Sequence, residues 1–252
     1  MITDPAFYLI AIPAVLLVGL SKSGFGGGIA LIGVPLMALA VSPITAAAIL
    51  LPILVAMDVI GLIAYRRRFD RSAISILLPA AFVGISIGWL AASVVSEAMV
   101  RLLVGVIALV FTLNHWFGGL SAGTARRPNR ITGSIWGATA GFTSFVSHAG
   151  SAPVQMYLLP QRLDPVLYAG TSVVFFASVN ALKIIPYFAL GLFSAENLLT
   201  AAALVPFAAI AMVAGIWLVR NVPAGLFYRL AYVLVFVVAL KLIWDGAAGV
   251  LG

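Results

Sequence analysis

The chain has 252 residues, of which 63% are hydrophobic and only 8% are charged, and its formal net charge is +7. Soluble globular domains are usually about 45–50% apolar and about 25% charged. The composition therefore excludes a soluble enzyme, a nucleic-acid-binding module and a disordered chain. It predicts an all-α, polytopic membrane protein, since one span needs about 20 apolar residues. In a membrane protein, a positive net charge indicates an excess of lysine and arginine on the cytoplasmic loops.

Eight apolar segments are predicted, separated by short hydrophilic stretches. In chain order the segments are 6–40, 43–65, 72–93, 98–118, 131–160, 165–191, 196–219 and 224–249. The arginines between them are concentrated in residues 65–71 and 119–130. These features divide the chain into a first membrane repeat (1–118), a basic linker loop (119–130) and a second membrane repeat (131–252).

The first and fifth segments are each too long for one plain span, and each is interrupted. Residues 19–28 are rich in glycine, and residues 141–153 combine glycines with hydroxyl side chains and Pro153. Glycine is a poor helix former and an internal proline removes a backbone hydrogen bond. Each segment therefore predicts two half-helices joined by a polar tip. Such backbone is tolerated at membrane depth only inside protein or beside a water-filled cavity.

The two halves of the chain align as an internal repeat. At an offset of 122 residues Gly19 meets Gly141 and Asp58 meets Asn180. If every segment crosses the membrane once, the repeats are parallel. If the interrupted segments are re-entrant hairpins, the repeats are inverted, ten arginines lie on one side and both termini lie outside. Membrane proteins carry an excess of arginine and lysine on their cytoplasmic loops, which favours the inverted arrangement. This is the arrangement of inverted-repeat transporters. The parallel arrangement stays open.

The first tip combines the chemical groups of an anion site. Lys22 places a charge inside the membrane, where ionisable groups are costly and usually functional. Glycines let backbone amides approach a ligand, and the half-helix that begins near Gly26 directs its positive end to the same place. A snorkelling lysine in a glycine-rich bend is the structural alternative. The other candidate binding residues here are Ser21, Ser23, Gly24, Gly27 and Gly28.

The second tip supplies neutral donors around His148, which can donate a hydrogen bond or gain a proton. A structural histidine is the alternative. The accompanying candidates are Ser144, Ser147, Gly150, Ser151 and Gln155. No metal or other cofactor is predicted, because the sequence has no cysteine and its other histidine, His115, has no carboxylate cluster nearby. Ser147 beside His148 is the one nucleophile–base candidate, and adjacent residues seldom align for catalysis, so no enzyme is predicted.

Three further polar residues are predicted inside membrane spans. Lys183 follows Asn180 by about one turn, so the two share a helix face. Lys183 either adds positive potential to the cavity or pairs with Asp58 in a structural tie between the halves. Asp58 and His148 are the candidates for proton coupling. The expected partners are a small anion and membrane lipid, without nucleic acid, and a homodimer is left open.

The tip motifs at 19–28 and 141–153 together resemble those of the TauE/SafE sulfite exporter family, and the resemblance extends over essentially the whole chain. It implies a multi-pass secondary transporter of the bacterial inner membrane. Its substrate would be a sulfur-containing anion, sulfite or an organosulfonate such as sulfoacetate, exported by alternating access and bound near the midplane between the two tips. An anion channel, or an importer of other small organic anions, is the alternative.

Overall fold

The chain is mainly helical in the part that the structure describes. This computed structural model describes residues 1–23, 33–37, 39–91, 96–117, 128–148 and 150–251, and no β-strand occurs in these ranges. The helices are α1 (Pro5–Lys22), α2 (Gly33–Met37), α3 (Pro43–Ala64), α4 (Arg71–Leu90), α5 (Glu97–Phe117), α6 (Arg130–Ser147), α7 (Ser151–Leu158), α8 (Pro165–Ala189), α9 (Ala195–Asn221) and α10 (Ala224–Leu251). The all-α fold predicted from composition is confirmed.

Several of these helices are suited to a bilayer. Within the described residues, α1, α4, α8, α9 and the Thr45–Ala64 part of α3 are long and apolar enough to span a membrane. Large apolar side chains are exposed along them, and tryptophans near helix ends are exposed as well, as Trp89 and Trp217 show. Exposed apolar surface of this kind is expected where side chains face lipid. The chain is a multi-pass membrane protein.

Local sequence signals explain where the helices begin. The side chains of Asp4, Ser42, Asn129 and Ser194 accept hydrogen bonds from backbone amides in the first turns of α1, α3, α6 and α9. Such capping residues satisfy amides that have no partner within the helix. Proline opens α1 and α3, where its missing N–H is not needed.

The fifth apolar segment is interrupted as predicted. Helix α6 ends at Ser147, His148 adopts a left-handed backbone with φ of 54°, and α7 begins at Ser151. The short helix then runs back along the long one. A β-carbon built on Gly133, in the first turn of α6, would lie 2.9 Å from the ring of Tyr157 near the end of α7. The segment is therefore a helical hairpin.

The first apolar segment also contains a long and a short helix. Helix α1 ends at Lys22, and the short α2 packs back on it, since a β-carbon built on Gly33 would lie 2.6 Å from Cγ2 of Val18. Of the predicted tip 19–28, residues 24–28 lie outside the described residues. Both interrupted segments thus pair a long helix with a short one. The inverted relation of the repeats stays a prediction.

The helices group into two compact units that do not follow the halves of the sequence. Unit 1 consists of residues 1–70 and 165–222, and unit 2 consists of residues 71–164 and 223–252. Unit 1 therefore contains α1, α2, α3, α8 and α9, and unit 2 contains α4, α5, α6, α7 and α10. Each unit takes helices from both predicted repeats. The division into repeats concerns duplication of the sequence, and it stays a prediction.

Repeat-related glycines make matching contacts in the two units. In unit 1, a β-carbon built on Gly19 of α1 would lie 3.2 Å from the carbonyl oxygen of Ala208 in α9. In unit 2, one built on Gly141 of α6 would lie 2.1 Å from the carbonyl oxygen of Ala81 in α4. Gly141 follows Gly19 by 122 residues, and Ala208 follows Ala81 by 127. The helix pairs α1–α9 and α4–α6 thus approach closely at corresponding places.

A second glycine in each unit shows the same correspondence. Gly215 of α9 faces Ser23 at the end of α1, and Gly88 of α4 faces Phe145 near the end of α6. The two glycines are 127 residues apart and their two neighbours are 122 apart, which are again the repeat offsets. Small residues let membrane helices approach this closely.

Replacing Gly141 by alanine tests how much this close approach contributes to stability. The new methyl group would meet backbone, which cannot rotate away, so we expect Gly141→Ala to lower the free energy of unfolding by about 1–3 kcal/mol. The matched control is Gly225→Ala in α10, because a β-carbon there meets nothing within 4 Å. The control should be neutral or slightly stabilising. Unfolding midpoints in detergent measure both, and equal midpoints for the two variants would contradict the packing argument.

Candidate functional site

The ammonium group of Lys22 forms an ion pair inside unit 1. Lys22 is the last residue of α1, and its side chain is only 5% exposed. Its Nζ lies 2.6 Å from Oδ1 of Asp58, a buried residue of α3. Because the two charges neutralise each other, the apolar interior can hold both.

Helix α8 adds two polar side chains to this ion pair. Nδ2 of Asn180 donates a hydrogen bond of 2.8 Å to Oδ2 of Asp58. Lys183 follows one turn later, is completely buried, and acts electrostatically on both Lys22 and Asp58. Nζ of Lys22 also lies 5.8 Å from the ring centroid of Phe176. Three helices therefore bring amine, carboxylate and amide groups together in one cluster, which we call the Lys22 cluster (Lys22, Asp58, Asn180 and Lys183).

The Lys22 cluster contains more basic than acidic groups. Among the described residues, the buried side chains with a formal charge are those of Lys22, Asp58 and Lys183. Two amines thus share an apolar surrounding with one carboxylate. Coulomb interactions are strong where water is scarce, so this balance favours an additional small anion and opposes an additional cation.

The Lys22 cluster lies off the centre of α3. Asp58 is about 22 Å along the helix axis from Pro43, where α3 begins, and about 9 Å from Ala64, where it ends. The nearer end is the one that Arg66, Arg67 and Arg68 follow. The cluster is therefore closer to the end of α3 that these arginines follow than to the end at Pro43.

Tyr65 holds the end of α1 against the end of α3. Its hydroxyl donates a buried hydrogen bond of 2.7 Å to the carbonyl oxygen of Ser23. Arg220 of α9 lies 5.9 Å from the ring centroid of Tyr65 and donates a hydrogen bond of 2.8 Å to the carbonyl oxygen of Ala64. The sequence prediction missed Tyr65. No local signal could have found it, because the bond depends on two helix ends meeting.

One serine of the first tip has a side-chain contact within unit 1. Ser21 and Ser23 are both buried, and the Ser23 hydroxyl donates a hydrogen bond of 2.6 Å to the carbonyl oxygen of Leu20. The hydroxyl proton of Ser23 is therefore engaged in this structure. The predicted ligands Gly24, Gly26, Gly27 and Gly28 lie outside the described residues.

The second tip lies in unit 2. The backbone N–H of His148 donates to the carbonyl oxygen of Ser144 at 3.2 Å and so ends α6. A β-carbon on Gly150 would lie 2.6 Å from the carbonyl oxygen of Ala140, so this glycine is required for packing. The imidazole of His148 is partly exposed, while Ser144 is buried. The side chain of Ser147 is outside the described part of the chain.

Ser151 stands out in the second tip. It is the first residue of α7, it is buried, and its Oγ has no hydrogen-bond partner among the described residues. Gly150, which precedes it, offers no side chain to cap the helix. Buried polar groups nearly always have a partner, and the first amides of a helix have none within it. Pro153 has no N–H, and the amide of Val154 donates to the carbonyl oxygen of Gly150 at 3.4 Å. The donors left for a small oxyanion are therefore the Ser151 hydroxyl and the amides of Ser151 and Ala152.

The predicted site residues thus fall into two groups, one in each unit. Unit 1 brings Lys22 together with Asp58, Asn180 and Lys183. The residues of unit 2 lie along the end of α6 and the start of α7, namely Ser144, His148, Gly150, Ser151 and Gln155. A single anion site built from both tips stays a prediction.

Removing one member of the buried ion pair should destabilise the protein, and removing both should restore much of the loss. We expect Asp58→Leu to lower the free energy of unfolding by about 3–5 kcal/mol, because it leaves the Lys22 charge buried without its partner. The double variant Lys22→Met/Asp58→Leu should recover most of this. Unfolding midpoints of the two single variants and the double variant in detergent give the coupling energy.

The pair Lys241–Asp245 of α10 is the control, because Lys241 is 41% exposed. Asp245→Leu should change stability by no more than about 1 kcal/mol. Equal effects of Asp58→Leu and Asp245→Leu would show that burial of the Lys22–Asp58 pair has no energetic consequence.

A comparison with known protein families identifies the family to which the chain belongs. The family model described as "Sulfite exporter TauE/SafE" matches residues 11–242, and its match includes Lys22, Asp58, Lys183 and both tips. No curated protein and no solved structure matches the chain. Since the family match extends over nearly the whole sequence, the chain belongs to the TauE/SafE sulfite exporter family.

Proposed function

We propose that this chain exports a small sulfur-containing anion, sulfite or an organosulfonate such as sulfoacetate, across a bacterial inner membrane. Membership of the TauE/SafE family supports a membrane transporter of sulfite or related anions. The observation that carries the choice of an anion is the buried Lys22 cluster, in which two amines share one carboxylate.

In the proposed mechanism, Asp58 is the resting counter-ion of Lys22. An incoming oxyanion offers Lys22 the same type of group that Asp58 offers, a negatively charged oxygen. The substrate therefore takes the place of the carboxylate on Nζ of Lys22, while Asn180 keeps its hydrogen bond to Asp58. The exchange keeps Lys22 paired at every stage, which an apolar surrounding requires.

The displaced carboxylate of Asp58 then needs compensation. Lys183 lies close enough to act on it electrostatically, and a proton taken from the aqueous side would neutralise it. Compensation by Lys183 leaves transport uncoupled. Protonation of Asp58 instead couples one proton to each anion. In the uncoupled route the membrane potential favours outward movement of an anion by about 2.3 kcal/mol per charge at 100 mV. A proton that leaves with the anion cancels one of these charges.

The second tip contributes neutral donors to the path of the anion. The Ser151 hydroxyl has no hydrogen-bond partner among the described residues, and His148 is partly exposed. The amides of Ser151 and Ala152 at the start of α7 have no acceptor within the helix. Helix starts of this kind bind oxyanions without adding a fixed charge. Weak neutral contacts of this type let an anion leave again, whereas a second fixed ion pair would hold it.

A neutral version of the ion pair tests the proposal without leaving a charge unpaired. Lys22→Gln/Asp58→Asn keeps side chains of similar size and hydrogen-bonding capacity but removes both charges. We expect folded protein whose uptake of labelled sulfite into liposomes falls to the protein-free background, because the anion loses its cation. A parallel screen of sulfite, sulfoacetate, thiosulfate, sulfate and small carboxylates identifies the substrate of the unaltered protein.

The matched control is Lys241→Gln/Asp245→Asn, which removes the partly exposed pair of α10 and should keep normal flux. Near-normal flux in the Lys22→Gln/Asp58→Asn variant would remove this pair from the substrate path. Saturation and counterflow are expected of a carrier, and ohmic single-channel currents would instead identify an anion channel.

Accessibility of single cysteines tests the inverted arrangement of the repeats. The chain has no cysteine, so each introduced one is unique. Cysteines at Thr3 and Val250 should react with an impermeant reagent added to intact cells, because this arrangement puts both termini outside. A cysteine at Arg67, in the basic loop after α3, should be protected. Protection of both terminal cysteines would overturn the inverted arrangement.

A further inference from the structure

A groove runs along the surface of unit 2 between α4 and α6. It has a volume of about 670 Å³. Its lining includes Ser75, Pro79 and Val83 on α4, and Arg130, Ser134 and Ala138 on α6. None of the substrate-binding residues considered above lines this groove.

The two helices begin side by side at one end of the groove. A β-carbon built on Gly133, near the start of α6, would lie 2.5 Å from Cγ2 of Ile76, near the start of α4. Further along, a β-carbon built on Gly141 would lie 2.1 Å from the carbonyl oxygen of Ala81. The helices are therefore parallel, and both starts carry an arginine, Arg71 on α4 and Arg130 on α6.

The lining of the groove changes from polar to apolar along its length. Arg130, Ser134 and Ser75 lie at the end where the helices begin, and all three are exposed. The Ser75 hydroxyl donates to the carbonyl oxygen of Ser72 at 2.8 Å, which leaves its lone pairs as acceptors. Pro79, Val83 and Ala138 follow. No acidic side chain lines the groove among the described residues, and Arg130 forms no ion pair with a carboxylate in that part of the chain.

The length and orientation of the groove match one leaflet of a membrane. From Arg130 to Ala138 the helix rises about 12 Å, close to half of the roughly 30 Å hydrocarbon core. The basic residues 66–71 precede α4, so the polar end belongs to the side that the arginines assign to the cytoplasm. The ligand that fits is therefore amphipathic, with an anionic head and an apolar tail.

The corresponding face of unit 1 lacks both features of the groove. At the repeat offsets, Tyr8 of α1 stands in the place of Arg130, and Leu16 stands in the place of Ala138. On α9, Phe207 stands in the place of Ala80, which also lines the groove of unit 2. Of the two faces compared, only the face of unit 2 combines small residues in the lining of the groove with a basic side chain. Two helices that pack through glycines therefore do not always form such a groove, since it depends on the residues at these positions.

We propose that this groove binds an anionic phospholipid of the cytoplasmic leaflet. Arg130 holds the lipid phosphate, Ser134 donates a hydrogen bond to it, and the oxygen of Ser75 accepts from a headgroup hydroxyl. One acyl chain lies along Pro79, Val83 and Ala138. The charge complementarity between Arg130 and the headgroup selects this lipid over a zwitterionic one, and the site is independent of the proposed transport of anions.

The test uses the full chain purified in detergent and titrated with phosphatidylglycerol or phosphatidylcholine, with bound lipid counted by native mass spectrometry. We expect about fivefold tighter binding of phosphatidylglycerol, which corresponds to about 1 kcal/mol for one basic residue at a membrane surface. Arg130→Gln should abolish this preference. Ala80→Phe, which introduces the residue found at the corresponding place of unit 1, should weaken binding of both lipids.

The control is Arg229→Gln, since Arg229 is exposed on α10 of the same unit and should leave the preference unchanged. Gel filtration confirms that each variant is folded. Because Arg130 is exposed, its replacement should not disturb folding, and Arg130→Gln tests the proposal even if Ala80→Phe does not fold. Three results would overturn the proposal. They are an unchanged preference in Arg130→Gln, displacement of the lipid by an equal concentration of inorganic phosphate, and a dimer of the chain that Ala80→Phe dissociates without any lipid bound.

Discussion

A charge inside an apolar helical bundle has to be paired within the protein, and unit 1 is organised around one such pair. Lys22 ends α1, Asp58 lies in α3, and Asn180 of α8 holds the second carboxylate oxygen. Three helices that the sequence separates widely are thus joined by one ion pair and one hydrogen bond. Since either charge alone would be costly to bury, the pair constrains both the fold and the chemistry of this unit.

The rest of the helix packing depends on small residues. Gly19 and Gly215 bring α1 and α9 together, and Gly141 and Gly88 do the same for α4 and α6. Lipid tails are as apolar as the helices, so hydrophobic burial contributes little to their association, and close backbone approach contributes much. Each of these helix pairs is closely packed, and irregular backbone occurs where α6 ends, at His148.

The polar groups of the two tips differ in a way that suits transport. In the Lys22 cluster two amines share one carboxylate, and in the proposed mechanism an anion enters by exchange with Asp58. The tip of unit 2 has the hydroxyl of Ser151 and the start of α7, which are neutral. The proposal assigns strong electrostatic binding to the Lys22 cluster and weak neutral binding to the second tip, because conduction requires that an anion can both enter and leave.

The sequence by itself determined the class of the protein, the helical segments, the break between α6 and α7 and the family, because composition, periodicity and glycine or proline content report local environment. It also identified Lys22 as a buried charge. Only the tertiary structure decided that Asp58 is in ion-pair contact with Lys22, that Asn180 links α8 to it, and that Tyr65 binds the end of α1. These partners are far apart in the chain, and helix packing alone sets which of them meet.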